Sequence, residues 1–330
     1  MTRENTYGIF SDNLEKLPST VRIEACSICQ LHCPMCQLIG NSTNIIGHGK
    51  LTFKKFSDFL IRNPAIKSIE LGNFGEVFLN PQLPEILEFA HRQGIITEID
   101  EGANLNHASD DALDALVRFG TSRVRCAIDG VTQSVYAQYR VGGSLRNVIK
   151  NISRINELKK KYGSSTPHLV FQFIIFEHNI HQIEQAALLA EMLKMKIEYK
   201  LDCLSGEVKD ERAEKVRELT GYSDRNEYLG REKVHYMRHL CYHMWHSPQI
   251  NWDGKLLGCS RNIWGVYAEN VFEGIFSEQL NNDKMRYARK MLMGLVPKTD
   301  NIPCSKCSVF ESMQKFENWL SPNELKLSQQ

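Results

Sequence analysis

Apolar residues along the first two thirds of the chain follow two different periods. Short runs that are continuous or alternate with polar residues predict six β-strands, at residues 21–25, 65–71, 95–100, 122–128, 168–175 and 196–203. Between them, apolar residues recur every three or four positions and predict helices at 51–62, 81–93, 109–119, 132–139, 144–161 and 180–193. Alternating strands and helices imply parallel strands with right-handed crossovers, so the pattern predicts an α/β barrel or open sheet.

The pattern changes beyond this region. Residues 206–239 are strongly charged, with both signs interleaved, and predict a solvated helical bridge. Residues 240–310 combine four cysteines with short glycine turns and predict a second, small metal-organised domain. We therefore divide the chain into an N-terminal extension, a barrel domain, the bridge, the small domain and a polar tail, at residues 1–20, 21–205, 206–239, 240–310 and 311–330.

Composition excludes several classes of protein. With 42% hydrophobic residues, 24% charged residues and a net charge of +1, the chain has no electrostatic signature of nucleic-acid or anionic-membrane binding. The N-terminus has no apolar signal core, and the longest apolar run, 169–176, is too short to span a bilayer. Ten cysteines without a secretory signal indicate a reducing cytoplasm and metal ligation instead of disulfides.

Four cysteines lie close together directly after the first predicted strand. Cys29, Cys33 and Cys36 have the spacing C-x3-C-x2-C, and Cys26 precedes them. Thiolates suit iron–sulfur clusters or zinc, but structural zinc usually takes four ligands, often as two CxxC-like pairs. Three close cysteines instead fill three corners of a cubane cluster and leave one iron open. A zinc knuckle is the alternative, and we interpret Cys26 as a packed thiol.

This spacing resembles the signature of the radical S-adenosylmethionine (SAM) superfamily. The resemblance implies a partial (β/α)6 TIM-like barrel and a [4Fe–4S] cluster whose open iron chelates the amino and carboxylate groups of SAM. It also implies reductive cleavage of SAM to a 5′-deoxyadenosyl radical, which abstracts hydrogen from a substrate, and a flavodoxin- or ferredoxin-type reductant.

Residues that match the family's SAM contacts are spread over four strand ends. Gly75 and Glu76 match a GxGEP stretch in which Val77 replaces the proline, and Asp129 matches the aspartate of an SIDG stretch. The resemblance implies SAM contacts for Met35, Gly75, Glu76, Asn104, Asp129 and Arg140. A surface glutamate at 76 and a helix salt bridge at 140 are the alternatives.

A second cysteine set occupies the small domain. Cys241, Cys259, Cys304 and Cys307 have the spacing C-x12-G-x4-C followed by CxxC, and the Asp253-Gly254 pair predicts a hairpin between the first two. Four thiolates complete a site without a vacancy, which suits zinc or a closed cluster. The spacing resembles the twitch domain, a shortened SPASM domain, and the resemblance implies one auxiliary [4Fe–4S] cluster.

A closed auxiliary cluster favours an electron relay and hence a two-electron oxidation of a carbohydrate, cyclitol or similar small polar metabolite. A peptide-modifying epimerase or crosslinking enzyme is the alternative, although the short stretch before Cys29 predicts no peptide-recognition domain there. An epimerase needs a hydrogen-atom donor, for which Cys203 and, more weakly, Cys126 are candidates. A non-catalytic zinc or electron-transfer protein is the third possibility. Polar strand-end residues are candidates for substrate contacts: Glu24, Asp100, Glu101, Gln172, Lys200, Asp202 and Cys203.

Overall fold

A computed structural model describes residues 12–38, 43–202 and 211–327 of the chain. Eight strands form one sheet in the order β6-β5-β4-β3-β2-β1-β7-β8. The strands are β1 (Thr20–Ile23), β2 (Ser68–Glu70), β3 (Ile96–Ala103), β4 (Arg123–Ala127), β5 (His168–Ile175), β6 (Lys196–Leu201), β7 (Gln249–Ile250) and β8 (Leu256–Gly258). The six predicted strands are therefore all present, and each pairs in parallel with its sequence neighbour.

Helices connect these strands and continue into the C-terminal part. Those before β6 are α1 (Thr43–Ile46), α2 (Phe53–Arg62), α3 (Leu83–Arg92), α4 (Asp110–Arg118), α5 (Gln133–Tyr139), α6 (Leu145–Tyr162) and α7 (Ile183–Met192). Those after it are α8 (Glu211–Thr220), α9 (Arg225–Glu232), α10 (His243–His246), α11 (Phe276–Leu280), α12 (Asp283–Leu292), α13 (Ser308–Phe316) and α14 (Pro322–Leu327). Short 3-10 helices occur at Val77–Leu79, Ile180–Gln182, Arg238–Tyr242 and Pro303–Lys306.

Local sequence sets the ends of several helices. The side chains of Thr52, Ser109 and Ser144 accept hydrogen bonds from backbone N–H groups in the first turns of α2, α4 and α6. Helix α6 ends at Gly163, whose φ of 61° lies in the left-handed region that glycine adopts at low cost. These caps explain why helix positions were predictable from polar residues next to apolar periodicity.

Sequential parallel strands place the connecting helices on one face and curve the sheet into a barrel. The helix-covered face is apolar and includes Val21 and Ile23 of β1 and Val124 and Cys126 of β4. Alternate residues on the opposite, inner face are mostly polar or charged, as in Arg22, Glu70, Arg125, Gln172 and Lys200. Strands β6 and β8 form the two sheet edges in the described residues, so the barrel is open. This confirms the predicted partial barrel.

The C-terminal hairpin is continuous with the barrel sheet. Strand β7 pairs in parallel with β1, with Ile23 opposite Ile250, and β8 pairs antiparallel with β7. The predicted turn between them is present, with the N–H of Asn251 donating to the carbonyl of Lys255 at 2.9 Å. Gly254 has a φ of 103°, which requires glycine at this turn. The hairpin thus extends the sheet along β1, which its sequence did not indicate.

Several boundaries differ from the prediction. Strand β3 continues to Ala103 with a register shift after Ile99, and β2 begins only at Ser68. The boundary expected at residue 310 falls inside α13, which buries Val309, Phe310 and Met313. Among the described residues, no helix combines the length and apolar character needed to cross a membrane.

Candidate functional site

The three cysteines of the C-x3-C-x2-C stretch lie together at the carboxyl end of β1. Their side chains pack in one group with Leu31, Tyr139 and Phe176. The backbone folds tightly here, because the N–H of Cys36 donates to the carbonyl of Cys33 at 3.0 Å. The sulfurs of Cys29 and Cys36 each accept a backbone N–H at 3.5 Å, from Leu31 and Leu38. The carboxyl ends of parallel strands are where α/β barrels place their sites.

The electrostatics of this group suit bound metal. Burial raises the pKa of Cys29 to about 12, with further contributions to that value from the nearby Glu76, Cys36 and Cys33 and against one backbone hydrogen bond. A thiol in such surroundings stays protonated unless a cation compensates its charge. Among the described residues, this packed group contains three cysteines and no fourth, which fits a cubane cluster with one open iron.

Two side chains that we predicted as SAM contacts lie against the cysteine sulfurs. Nδ2 of Asn104 is 3.6 Å from Sγ of Cys29, and Nη1 of Arg140 is 3.8 Å from Sγ of Cys33. Donors at this distance stabilise negative charge on sulfur and hold the ligand in place. No sequence pattern predicted these contacts, because they join residues far apart in the chain.

The Gly75-Glu76 loop packs directly on the cysteine stretch. A Cβ at Gly75 would clash with the carbonyl oxygen of Cys26 and lie 2.8 Å from that of Ile28, so only glycine fits. The N–H of Glu76 donates to the carbonyl of Ile28 at 2.9 Å, and its carboxylate accepts the N–H of Asn104 at 2.7 Å. Burial raises the pKa of Glu76 to about 7 against these hydrogen bonds. Glu76 is therefore buried, and the alternative of a surface glutamate is wrong.

Glu24 has a role that the sequence did not reveal. Its carboxylate accepts the N–H groups of Phe74 at 2.9 Å and Gly75 at 3.0 Å. Burial raises its pKa to about 7, although both hydrogen bonds favour the charged form. We expected this strand-end residue to face the substrate. Its carboxylate instead holds the Gly75-Glu76 loop in place. In the sequence, the only indication of such a role was its position in the first predicted strand, two residues before Cys26.

Asp129 and Arg140 form a buried ion pair. Nε of Arg140 is 2.6 Å from Oδ2 of Asp129, whose other oxygen accepts the N–H of Ile174 at 2.8 Å. Burial opposes the charge of Arg140, but Asp129 and Cys33 hold its pKa above the ordinary value. Arg140 is thus in a salt bridge, but with a residue that follows β4 and not within the helix as considered, and contacts of both residues with SAM stay predictions. The same holds for Met35, whose side chain is 41% exposed beside the cysteines.

The remaining cysteines of the barrel differ in position. Cys26 is fully buried and its Sγ donates to the carbonyl of Ile28 at 3.6 Å, as expected of a packed thiol. Cys126 is fully buried on the helix-covered face of β4 and not in the lumen, which disfavours it as a hydrogen-atom donor. Cys203, the preferred donor, lies outside the described residues.

The four C-terminal cysteines line one cavity. About 340 Å³ of space free of protein atoms, part of it open to solvent, lies between them. Cys241 is in the 3-10 helix Arg238–Tyr242, Cys259 follows β8, and Cys304 and Cys307 flank the turn before α13. The rest of the lining is mainly apolar and consists of Met244, Asn262, Trp264, Tyr267, Leu292, Pro303 and Phe310. The histidines nearby, His235, His239, His243 and His246, are not among the residues that line it.

Charge and hydrogen bonds in this cavity also suit a bound metal group. Burial raises the pKa of Cys241 well above its ordinary value, and the other three cysteines raise it further. The hydroxyl of Tyr267 lies 3.1 Å from Sγ of Cys304, a contact that sequence reasoning missed. Four thiols in so apolar a pocket fit a cation that would hold them as thiolates.

The spacing of the sulfurs bears on which metal group fits. Tetrahedral zinc with Zn–S bonds of about 2.3 Å requires sulfurs about 3.8 Å apart. In the part of the chain that the structure describes, no three His, Cys, Asp or Glu side chains meet closely enough to hold one metal ion. Thiolates of a cubane bind different irons and lie further apart than the four ligands of one zinc ion.

Comparison with known proteins supports the fold. No family model matches the chain, and no curated protein sequence matches it. The crystal structure of Streptococcus suis SuiB bound to S-adenosylmethionine is similar over 89% of this chain and 72% of that one, with a TM-score of 0.63 and 15% identity. SuiB bound to the precursor peptide SuiA gives a TM-score of 0.61 and 14% identity over 89% and 70% of the two chains. The crystal structure of BtrN in complex with AdoMet and 2-DOIA is similar over 89% of this chain and 94% of that one, with a TM-score of 0.51 and 16% identity. The chain therefore has the α/β barrel fold of these proteins, as predicted.

Proposed function

We propose that this protein is a radical SAM enzyme in which Cys29, Cys33 and Cys36 hold a [4Fe–4S] cluster and SAM binds its open iron. The observation that supports this most is the group of three sulfurs packed against the Gly75-Glu76 loop. The fold shared with SuiB and BtrN, both solved with SAM, supports it further.

The chain's own residues would position and tune this site. Glu76 offers a buried carboxylate for the SAM ammonium, and Gly75 lets the ligand and backbone approach closely. Asn104 and Arg140 donate toward cysteine sulfurs, which favours the more negative, reduced cluster. Tyr139 and Phe176, with ring centroids 4.4 Å apart, cover the cysteines and exclude water. When bound, the reduced cluster supplies the electron that cleaves SAM to methionine and a 5′-deoxyadenosyl radical.

The C-terminal cysteines would hold an auxiliary [4Fe–4S] cluster. All four line one cavity, so the cluster would keep no vacancy for substrate and would serve as an electron relay. We infer a two-electron oxidation of a carbohydrate, cyclitol or similar small polar metabolite, with a flavodoxin- or ferredoxin-type protein as the reductant. The inner face of the barrel is mostly polar or charged, which supports a polar substrate over an apolar one.

A peptide substrate is the second candidate. It is favoured by the likeness to SuiB, which has been solved with the precursor peptide SuiA. The two reactions are separable by isotopes: an epimerase places solvent deuterium on a peptide Cα, whereas dehydrogenation of a metabolite removes hydrogen and places none.

Iron content and electron paramagnetic resonance (EPR) test the proposal. Protein reconstituted without oxygen should carry about eight irons for two [4Fe–4S] clusters, and SAM should alter the EPR spectrum of the reduced protein. Cys33→Ala should lose about four irons and the response to SAM. Cys26→Ala is the matched control, because Cys26 lies beside the motif without being a ligand in this proposal, and it should retain both. Protein that takes up zinc instead of iron would overturn the proposal and favour the non-catalytic alternative.

A further inference from the structure

Most charges on the inner face of the barrel are already paired with each other. Arg125 places Nε 3.0 Å from Asp100 and Nη1 2.7 Å from Glu198. Arg123 reaches the same two carboxylates at 2.8 and 3.0 Å. Higher in the lumen, Arg22 pairs with Glu101. These pairs leave neither the arginines nor the carboxylates as unbalanced charges for a ligand.

The buried glutamates of the lumen are also occupied. Glu70 accepts the N–H groups of Gly72 at 3.0 Å and of Asp100 at 2.9 Å. Glu24 accepts the N–H groups of Phe74 and Gly75. Their carboxylates thus hold backbone segments in place.

Among the described residues of the inner face, Lys200 is the cation that is not paired with a carboxylate. It lies on β6 opposite Ile174, whose N–H binds Asp129 and whose side chain packs against the cysteine group. Within residues 12–38, 43–202 and 211–327, its Nζ has no hydrogen bond or ion pair, and its side chain is partly exposed. Burial and the nearby Arg125 lower its pKa. The carboxylates of Glu101, Asp100 and Glu198, which are paired with arginines, offset this only in part.

Gln172, on the strand next to that of Lys200, carries a buried acceptor. Its side chain is 4% exposed, and Oε1 is buried without a hydrogen-bond partner. It lies on β5, opposite Ala127 on one side and Glu198 on the other, one inward-facing position below Ile174. A buried acceptor without a partner is unfavourable, so a donor from a ligand would satisfy it.

We propose that Lys200 and Gln172 form a substrate subsite in which Lys200 binds an acidic group and Gln172 accepts a hydrogen bond from a hydroxyl. The substrate is then a hydroxylated acid, such as a sugar acid or a sugar phosphate. This rests on the proposed function, since it names the substrate class of that site. Carboxylate and phosphate share the chemistry that Lys200 recognises.

Protection of Lys200 from reductive methylation tests the subsite directly. The reconstituted, SAM-bound protein is methylated with gluconate, glucose 6-phosphate, glucose or acetate present, and mass spectrometry quantifies Lys196 and Lys200. At least one acidic sugar should bind about tenfold more tightly than glucose, because hydrogen bonds to charged groups are the stronger ones. If gluconate alone protects Lys200, the acidic group of the substrate is a carboxylate. If glucose 6-phosphate alone protects it, the group is a phosphate. Lys196, on the same strand and face but exposed, should be unaffected.

Two outcomes overturn the proposal. In the first, glucose protects Lys200 as well as gluconate and glucose 6-phosphate do. In the second, none of the compounds protects Lys200 more than Lys196. Gln172→Leu should weaken the protection of Lys200 by the acidic sugar and leave its protection by acetate unchanged. If the variant binds the acidic sugar as tightly as wild type does, the role of Gln172 is refuted. The assay does not depend on SAM cleavage. Failure of the proposed function would appear as missing 5′-deoxyadenosine, whereas failure of the subsite would appear as missing protection.

Discussion

Gly75→Ala is expected to damage the SAM site through the backbone. The added Cβ would lie 2.6 Å from the carbonyl carbon of Ser27 and 2.8 Å from the carbonyl oxygen of Ile28. These are backbone atoms that cannot rotate away, so the glycine loop must separate from the cysteine stretch. Forced overpacking of this kind costs about 1–3 kcal/mol.

The size of the effect can be worked out for melting and for SAM binding. An unfolding entropy of about 2.1 cal/mol/K per residue gives about 0.7 kcal/mol/K for 330 residues, so Tm should fall by about 1.5–4 °C. If the loop carries SAM contacts, a loss of about 1–3 kcal/mol corresponds to a roughly 5- to 150-fold weaker SAM affinity. Thermal unfolding of the apoprotein and equilibrium dialysis of SAM against the reconstituted protein measure the two effects.

Gly72→Ala is the matched control from the same loop. Its Cβ would lie 3.6 Å from its nearest neighbours, an ordinary contact, so melting and SAM affinity should stay close to wild type. If Gly75→Ala behaves like Gly72→Ala in both assays, the loop does not depend on close packing against the cysteine stretch and the reasoning fails.

Three further predictions concern other parts of the site. Tyr267→Phe removes the hydroxyl 3.1 Å from Cys304, so the auxiliary cluster should keep its iron but have a lower reduction potential in an EPR-monitored titration; an unchanged or higher potential would contradict this. Arg140→Met leaves the buried Asp129 without a cationic partner and should cost about 3–5 kcal/mol of unfolding free energy, whereas a loss below about 1 kcal/mol in denaturant titrations would show that the ion pair is dispensable. Burial raises the pKa of Glu70 to about 8, so the folded state holds a proton that the unfolded state releases above the ordinary pKa of 4.5. Stability of the apoprotein should therefore fall as pH rises from about 5 to 8, and Glu70→Gln should reduce that fall; the same pH profile in both proteins would exclude the effect.

Much of the barrel was predictable because its signals are local. Strand β5 matches its predicted bounds, and Ser109 caps α4 as expected, since alternation and capping depend on adjacent residues. The two cysteine sets were predictable for a similar reason, because spacing along the chain limits which sulfurs can share a metal group.

Contacts between distant residues were not predictable. Strand β7 has two residues, too few to show a period, and its pairing with β1 joins positions more than 200 residues apart. The hydrogen bonds from Gly75 to Glu24 and from Asn104 to Cys29 likewise depend on the packed fold. The partners of Arg140 illustrate the point, because the sequence offered a SAM contact or a salt bridge and only the structure shows Asp129 beside it.

Formation of 5′-deoxyadenosine tests the central claim most directly. The anaerobically reconstituted protein is reduced with dithionite in the presence of SAM, and 5′-deoxyadenosine and methionine are quantified by chromatography. We predict that wild type forms both in equal amounts and that Cys33→Ala, which lacks one of the three thiolates, forms neither. Iron-loaded wild type that leaves SAM intact, or a Cys33→Ala variant that cleaves it as fast as wild type, would contradict the account.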